Sequence, residues 1–298
     1  MKKMNKAYGI VLTLISCVVV SLNAQNIYIG STANNSIGEY GLDGSPINAS
    51  LISDSHGPEG IAISGNDLFV ANTQNGSVGE YDATSGQAIN AALISGLNSP
   101  NGIAVSGNDL FVVNNNNGTV GEYTTSGQAI NASLITGLNY PVSITISGSD
   151  LFVANSGNGT VGEYTTSGAP VDTSLISSLD GAYDIAIAGI DLFVVNFSNG
   201  TVGEYTTSGQ TVNASLISNL SFPQGIAISG NDLFVVNAGN HEIGEYTTAG
   251  STVNASLISD QPAPNAIAIS PAPEPSTVAL TALGSAALCL RRRRKGKY

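Results

Sequence analysis

Basic residues are missing from almost the whole chain. All nine Lys and Arg residues lie at the two ends, and none occurs between residues 7 and 290. Twenty of the 21 acidic residues lie between residues 25 and 270. A surface of this charge repels phosphate, which argues against nucleic acid and anionic lipid headgroups as partners. Because Lys and Arg ion pairs are impossible there, stability must come from apolar burial and backbone pairing.

Cysteine is equally scarce. The two cysteines, Cys17 and Cys289, lie in the apolar stretches at the ends of the chain. The central part therefore has no disulfide and no thiol chemistry, whatever its redox compartment. It has two histidines and no Gly-x-Ser-x-Gly motif, so no nucleophile–base pair can be named. We expect a protein that is not an enzyme, with no catalytic residue, metal or cofactor.

The N-terminus has the pattern of a secretory signal peptide. Its positive start comes from Lys2, Lys3 and Lys6. An apolar run over residues 10–20 follows, and residues 22–24 form a suitable cleavage site, so we expect residues 1–24 to be removed. Two alternatives stay open. One is an uncleaved anchor, for which the run is short. The other is lipidation at Cys17, which ends a segment resembling a bacterial lipobox, although the valines at 18–20 disfavour it.

A Gly-Glu-Tyr triplet recurs through the central part of the chain. Its glutamates are Glu39, Glu80, Glu122, Glu163, Glu204 and Glu245. The steps between them are 41, 42, 41, 41 and 41 residues, and a period of about 40 residues is typical of repeat architectures. Each repeat has four strand signals, and an Asn-Gly turn before the third favours a hairpin. Four short antiparallel strands per unit predict a β-propeller blade.

The first strand of the repeat occurs six times, near residues 61, 103, 144, 185, 226 and 267. Three strand signals precede the first copy, and nothing follows the last one at 267–269. We expect the two ends to share one blade, because pairing them removes two exposed sheet edges. The sequence therefore predicts an all-β fold, a six-bladed β-propeller with four-stranded antiparallel blades over residues 25–270.

Three segments of the repeat carry a family resemblance. The pattern Pro-x-Gly-Ile-Ala, then Asp-Leu-Phe-Val-x-Asn, then Asn-Gly-Thr-Val-Gly-Glu-Tyr resembles NHL-type repeats across residues 26–270. The basic residue that those repeats often carry before the third strand is missing here. The resemblance implies the propeller fold. It implies no particular activity, because the functions of that family are diverse.

The composition changes after Ser270. Residues 271–275 are a Pro-rich spacer that contains Pro273, Glu274 and Pro275. Residues 276–298 hold an apolar run over 276–290 and then the basic residues Arg291, Arg292, Arg293 and Arg294. Taken alone, this is a short membrane-seeking helix with a cytoplasmic basic end, although an ordinary tail anchor needs a longer span.

In this order the segments resemble the PEP-CTERM sorting signal of Gram-negative bacteria. The resemblance implies processing by an exosortase and transient insertion of residues 276–290 in the inner membrane. It also implies a product in the cell envelope, at the cell surface or outside the cell, and a link to exopolysaccharide. Whether the product is released or stays attached is left open.

Polar positions that are identical in every repeat are more typical of scaffold than of a site. The ring of Gly-Glu-Tyr glutamates is a candidate set of calcium ligands, since calcium prefers carboxylate oxygen. A simpler interpretation is a solvated acid on the third strand of each blade, with the tyrosine packed between blades. We therefore expect no metal site there.

Positions at which the repeats differ are better site candidates. The loops before the first strand and after the second share one face of a propeller, where ligands usually dock. On that face the repeats diverge at His56, Glu59, Tyr140, Tyr183, Asp184, Phe197, Phe222, Gln224 and His241. Four of these are aromatic and fall on consecutive blades, which predicts one patch suited to stacking on sugar rings. The alternative is that each aromatic side chain covers its own blade.

Three functional interpretations follow. The first is an exported, non-catalytic binding or scaffold module with extracellular polysaccharide as the candidate partner. The second is a metal-dependent lactonase or hydrolase, which needs several acids and amides around the axis. The inner strand entrances are mostly Gly, Ala or Ser, and Asp184 is the one carboxylate among them. The third is a structural surface or matrix protein without a ligand.

Overall fold

Six four-stranded antiparallel sheets make up residues 25–272, the part of the chain that the computed structural model describes. The innermost strands of these sheets contact one another in a closed cycle. The predicted six-bladed β-propeller is therefore confirmed, and its compact unit is Gln25–Pro271. The expectations for residues 1–24 and 276–298 fall outside the described residues.

Each blade has four strands, here called inner, second, third and outer from the axis outward. The inner strands are β4 (Pro58–Ser64), β8 (Pro100–Ser106), β12 (Pro141–Ser147), β16 (Ala182–Ala188), β20 (Pro223–Ser229) and β24 (Pro264–Ile269). The second strands are β1 (Asn26–Ser31), β5 (Asp67–Asn72), β9 (Asp109–Asn114), β13 (Asp150–Asn155), β17 (Asp191–Asn196) and β21 (Asp232–Asn237). The third strands are β2 (Ser36–Gly41), β6 (Ser77–Asp82), β10 (Thr119–Thr124), β14 (Thr160–Thr165), β18 (Thr201–Thr206) and β22 (Glu242–Thr247). The outer strands are β3 (Pro46–Ser53), β7 (Ala88–Ile94), β11 (Ala129–Ile135), β15 (Pro170–Ile176), β19 (Thr211–Ile217) and β23 (Thr252–Ile258).

Blade 1 consists of β24, β1, β2 and β3, and blades 2 to 6 follow in chain order. A single-turn 3-10 helix, Asn115–Asn117, lies in a loop of blade 3. We call the face with the outer-to-inner and second-to-third loops the mouth face. The opposite face, with the inner-to-second and third-to-outer turns, is the base face.

The apolar core lies between blades, because both faces of each second strand are covered by a neighbouring sheet. In β9, Phe111 and Val113 pack in one cluster with Val153 of the following blade. The alternate residues Leu110 and Val112 pack in the cluster shared with the preceding blade. Successive side chains of a strand point to opposite faces, so an uninterrupted apolar run serves two interfaces. Six such clusters, one for each interface, hold the ring together.

The Gly-Glu-Tyr triplet has a packing cause. In β10 the ring of Tyr123 lies across Gly121, and a Cβ on Gly121 would come within 2.7 Å of the ring atom Cε2. Tyr123 is buried in the cluster between blades 2 and 3, which confirms that the tyrosine packs between blades. Glycine is therefore required two residues before each of these tyrosines.

The two ends of the propeller meet in blade 1. Strand β24 pairs antiparallel with β1, with Ile267 opposite Ile29. Next to this ladder, the Ser270 N–H donates to the Asn26 carbonyl oxygen at 2.9 Å, and the Asn26 N–H donates to Ser270 Oγ at 2.8 Å. The predicted shared blade is thus confirmed, and both ends of the unit leave from the base face.

The outer strands end each sheet with a bulge rather than with a regular ladder. In β11 the pairing with β10 shifts register, and Asn131 Oδ1 accepts the Ser133 N–H at 3.1 Å. Five equivalent bonds occur, accepted by Asn48, Asn90, Asp172, Asn213 and Asn254. The Asn or Asp at this position of all six outer strands therefore has a structural role. A bulge that satisfies its own N–H protects an exposed sheet edge against pairing with another chain.

We predict that Gly121→Ala lowers the free energy of unfolding of the propeller by about 1–3 kcal/mol, because the added methyl group overpacks the Tyr123 ring. In a Tyr123→Leu background the same change should cost much less, which a double-mutant cycle in urea would measure. Equal costs in the two backgrounds would show that the tyrosine ring is not the cause.

Candidate functional site

At the mouth face the inner strands surround an axial cavity of about 300 Å³. Two successive positions of each inner strand form its entrance. The second residues of these strands, here called the mouth residues, are Glu59, Asn101, Val142, Tyr183, Gln224 and Asn265. The third residues are Gly60, Gly102, Ser143, Asp184, Gly225 and Ala266. Small residues are needed at the third position, because a Cβ on Gly60 would lie 2.2 Å from the Asn101 carbonyl oxygen.

Asp184 departs from this rule and joins three inner strands. Its Oδ1 accepts the Ser143 hydroxyl at 2.5 Å, and the Ile185 N–H at 2.9 Å. Its Oδ2 accepts the Ile226 N–H at 2.8 Å. The carboxyl group is partly buried in the wall of the cavity, and desolvation raises its pKa from 3.8 to about 6, although the three hydrogen bonds oppose the shift. No Lys or Arg occurs in residues 25–272 to neutralise it.

Glu59 and Asn265 form a second polar group at the cavity. Asn265 Nδ2 donates to the Pro58 carbonyl oxygen at 2.7 Å and to Glu59 Oε2 at 2.9 Å. Burial raises the pKa of Glu59, and the Asn265 hydrogen bond opposes that shift. Since Asn265 belongs to β24 and Glu59 to β4, this group also fastens the closing strand to blade 2.

Three aromatic side chains adjoin the cavity and form what we call the aromatic patch. The rings of Tyr183 and Phe197 are stacked, with centroids 5.4 Å apart and planes at 28°. The ring of Phe222 lies 5.4 Å from that of Phe197, tilted by 46°. Burial, together with the nearby carboxylates of Glu59 and Asp184, raises the pKa of Tyr183, so its phenol stays protonated. The patch extends from the cavity wall to Phe222, which is 58% exposed.

Phe222 has an unusual backbone conformation for a large side chain. Its φ is +46°, in the left-handed region, and the residue before the inner strand has positive φ in every blade. Blades 2 and 5 place glycines there, Gly57 and Gly181, whereas blades 4 and 6 place Tyr140 and Phe222. A left-handed conformation costs a non-glycine residue roughly 1–2 kcal/mol. Since Ser99, Tyr140 and Ala263 adopt it too, the conformation belongs to the repeat and does not by itself mark Phe222 as a site residue.

The structure brings together six of the nine residues predicted from sequence. Glu59, Tyr183, Asp184 and Gln224 line the cavity. Phe197 and Phe222 complete the aromatic patch.

The other three predicted residues lie apart from the cavity. Tyr140 has no ring contact with the patch, because its neighbour in the preceding blade is Asn115, which stands where Phe197 stands beside Phe222. His56 and His241 are in exposed loops, and His241 Nδ1 interacts with the Gln261 carbonyl oxygen at 3.1 Å. The single patch of four aromatic residues expected from sequence is therefore wrong in one member.

Sequence reasoning missed Asn101, Ser143 and Asn265. Both asparagines follow a proline and look like turn residues, and Ser143 looks like another small residue of the inner ring. A usable signal was present, because the second position of the inner strand reads Glu, Asn, Val, Tyr, Gln and Asn, whereas the first position is Pro in five of the six strands. Wide variation at one position of a repeat marks that position as a candidate site.

The repeated glutamates are not fully solvated, which corrects the expectation. In five blades burial raises the pKa of the Gly-Glu-Tyr glutamate, and a nearby aspartate adds to the shift. In blade 1, Asn26 replaces that aspartate and donates to Glu39 Oε1 at 2.7 Å, and Glu39 is 5% exposed. Among the described residues, no three His, Cys, Asp or Glu side chains are grouped to hold a metal ion.

The fold is a six-bladed β-propeller with an axial cavity. Several solved structures resemble this chain in fold. A chain of the nidogen/laminin complex aligns with a TM-score of 0.74 and 15% identity, over 84% of this chain and 99% of that one. A streptogramin B lyase aligns with a TM-score of 0.63 and 18% identity, over 81% and 82%. Virginiamycin B lyase from Staphylococcus aureus aligns with a TM-score of 0.60 and 21% identity, over 81% and 84%. At these identities the likeness establishes the fold alone.

The C-terminal segment carries a sorting motif of a known family. Residues 271–294 match the PEP-CTERM protein-sorting motif, which confirms that assignment. The motif implies export to the cell envelope or surface and processing by an exosortase. No curated protein matches the chain significantly in sequence, and the NHL-type assignment of the repeat stays a prediction. Within residues 25–272 no helix is long and apolar enough to cross a membrane, and the apolar run at 276–290 lies outside that range.

We predict that the propeller, residues 25–271, unfolds at a higher temperature at pH 5 than at pH 7.5. The pKa of Asp184 is raised in the folded state, so its contribution is full below about pH 4 and is lost as the pH rises through about 6. The expected loss is roughly 1–3 kcal/mol. Glu59 shifts in the same direction.

The test is the pH dependence of the melting temperature in Asp184→Asn, compared with Asp54→Asn on an exposed loop. Asp184→Asn should reduce the difference between pH 5 and 7.5, whereas the control should keep it. The melting temperature of Asp184→Asn at a single pH is not the readout. The asparagine places a side-chain N–H donor against the Ile226 N–H, and this lowers stability at every pH. An unchanged pH dependence in Asp184→Asn would refute the assignment.

Proposed function

We propose that this protein is an exported, non-catalytic binding module that holds extracellular polysaccharide at its mouth face. The aromatic patch carries the proposal. Sugar rings present apolar faces that stack on aromatic side chains, while their hydroxyl groups seek amides and carboxylates. The patch offers the first kind of contact, and Glu59, Asn101 and Gln224 at the adjoining cavity offer the second.

The clustering of Phe222 with other aromatic rings supports a ligand over a purely structural role. Glycine occupies the same place in two other blades, so the fold itself does not need an aromatic residue there. Phe222 is more than half exposed, and its ring lies 5.4 Å from that of Phe197. An exposed cluster of aromatic side chains is typical of binding sites.

The position of the chain ends is compatible with this role. Gln25 and Ser270 are hydrogen-bonded to each other at the base face, and the sorting motif starts at residue 271. The segment that an exosortase would process thus leaves from the base face. The mouth face carries neither end of the unit.

The lactonase or hydrolase alternative has weaker support. Both oxygens of Asp184 already accept hydrogen bonds from the inner strands, and Glu59 is bonded to Asn265. A catalytic divalent ion needs several open ligands that converge. The lyases of similar fold share less than a quarter of their residues with this chain and do not transfer their activity.

The test measures binding of the propeller to a panel of neutral, acidic and amino polysaccharides, with Phe222→Gly and Tyr140→Gly as the compared variants. Both changes place glycine at a positive φ, so both should alter stability by no more than about 1 kcal/mol. Phe222→Gly should weaken binding at least tenfold, whereas Tyr140→Gly, outside the patch, should leave it nearly unchanged.

Three results would count against the proposal. Binding to no member of the panel would favour the matrix protein without a ligand. Equal losses in the two variants would deny a special role to the patch. A large loss of stability in Phe222→Gly would show that this side chain covers its blade, as the structural alternative holds.

A further inference from the structure

The cavity wall carries negative charge and no positive charge. Two carboxyl groups, Asp184 and Glu59, face it from blades 5 and 2. Both lie close enough to Tyr183 to raise its pKa. Residues 25–272 contain no Lys or Arg, and the two histidines lie apart from the cavity, so the protein itself offers no cation there. A partly desolvated negative charge without a counter-charge is costly, which favours a ligand that supplies the positive charge.

The side-chain oxygen of Asn265 gives an independent indication of the kind of group that the cavity would bind. Its side-chain nitrogen faces two acceptors, the Pro58 carbonyl oxygen and Glu59 Oε2, and this fixes the orientation of the amide. Its Oδ1 is therefore left as an acceptor, and it is buried without a hydrogen-bond partner among the described residues. Asn265 is 6% exposed and lines the cavity. The atom that would satisfy this oxygen is a hydrogen-bond donor.

We infer that the mouth binds a primary ammonium group, carried by an amino sugar of the polysaccharide. This inference rests on the proposed function and names its ligand class. An ammonium group has three donors and no acceptor, which suits a cavity lined by two carboxyl groups and by amide and phenol oxygens. Its hydrogen bonds to carboxylates are charge-assisted and stronger than those of a neutral hydroxyl.

Two other cations fit the cavity less well. A guanidinium ion binds best to a carboxylate with two free oxygens in one plane, and both Asp184 oxygens are already engaged. A calcium ion prefers six to eight oxygen ligands. No grouping of three metal-binding side chains occurs within the described residues. The other eighteen carboxylates of residues 25–270 attract any cation, so binding at the cavity must be distinguished from this general electrostatic attraction.

The experiment compares glucosamine oligosaccharides with their N-acetylated counterparts by calorimetry on the propeller, residues 25–271. The two series share ring and linkage, and only the first carries the ammonium group. We expect at least tenfold tighter binding of the amine series at pH 6.5. Glu59→Gln and Asp184→Asn should each remove most of that preference. The matched control is Glu122→Gln, which deletes one acid on the base face and should keep the preference.

The outcomes separate this inference from the proposed function. Equal binding of the two series, with a dependence on Phe222, would overturn the ammonium site and leave the polysaccharide module standing. Binding of free glucosamine that depends on Glu59, without binding of any polymer, would support the site and refute the proposed partner. A preference that Glu122→Gln lowers as much as Glu59→Gln would overturn the site, because the general field would then explain it. Calcium binding at the mouth without amine binding would overturn it too.

Discussion

The pairing of β24 with β1 is the constraint on which the rest of the structure depends. Each blade is stabilised almost wholly by its neighbours, through the apolar clusters that alternate side chains of the second strands create. A ring of this kind gains its full set of interfaces only when the last strand meets the first. The chain also lacks Lys and Arg, so no ion pair with those residues can substitute for a lost interface.

The same closure determines the geometry of the candidate site. Asn265 reaches the cavity because β24 completes the inner ring beside β4, and there it meets Glu59. Asp184 plays a related part on the other side, where it joins the inner strands of blades 4, 5 and 6. Both polar groups hold blades together and leave acceptor capacity or negative charge facing the cavity. The scaffold and the proposed site are thus built partly from the same atoms.

Much of the fold was predictable because the strand pattern of one blade recurs six times in the sequence. The even spacing of the glutamates and the Asn-Gly turns predict six blades. The three strand signals at the start of the unit and the single one at its end predict a blade shared by both ends. The site was less predictable. Glu59 and Asp184 stand out as breaks in a repeat, but Asn265 resembles a turn residue, and its role depends on how far β24 reaches around the ring. The separation of Tyr140 from the patch was open to prediction, because the residue of blade 3 that corresponds to Phe197 is Asn115.

A cysteine pair tests the closed ring most directly. Asn26 and Ser270 are hydrogen-bonded through their backbones, and residues 25–271 contain no cysteine of their own. In the double variant Asn26→Cys and Ser270→Cys, oxidation should give one disulfide within the monomer and raise stability by about 2–4 kcal/mol. Glutamate-specific digestion would identify the linked peptides, since trypsin has no site in this unit. Free thiols, or disulfides only between molecules, would contradict the shared blade and the site built on it.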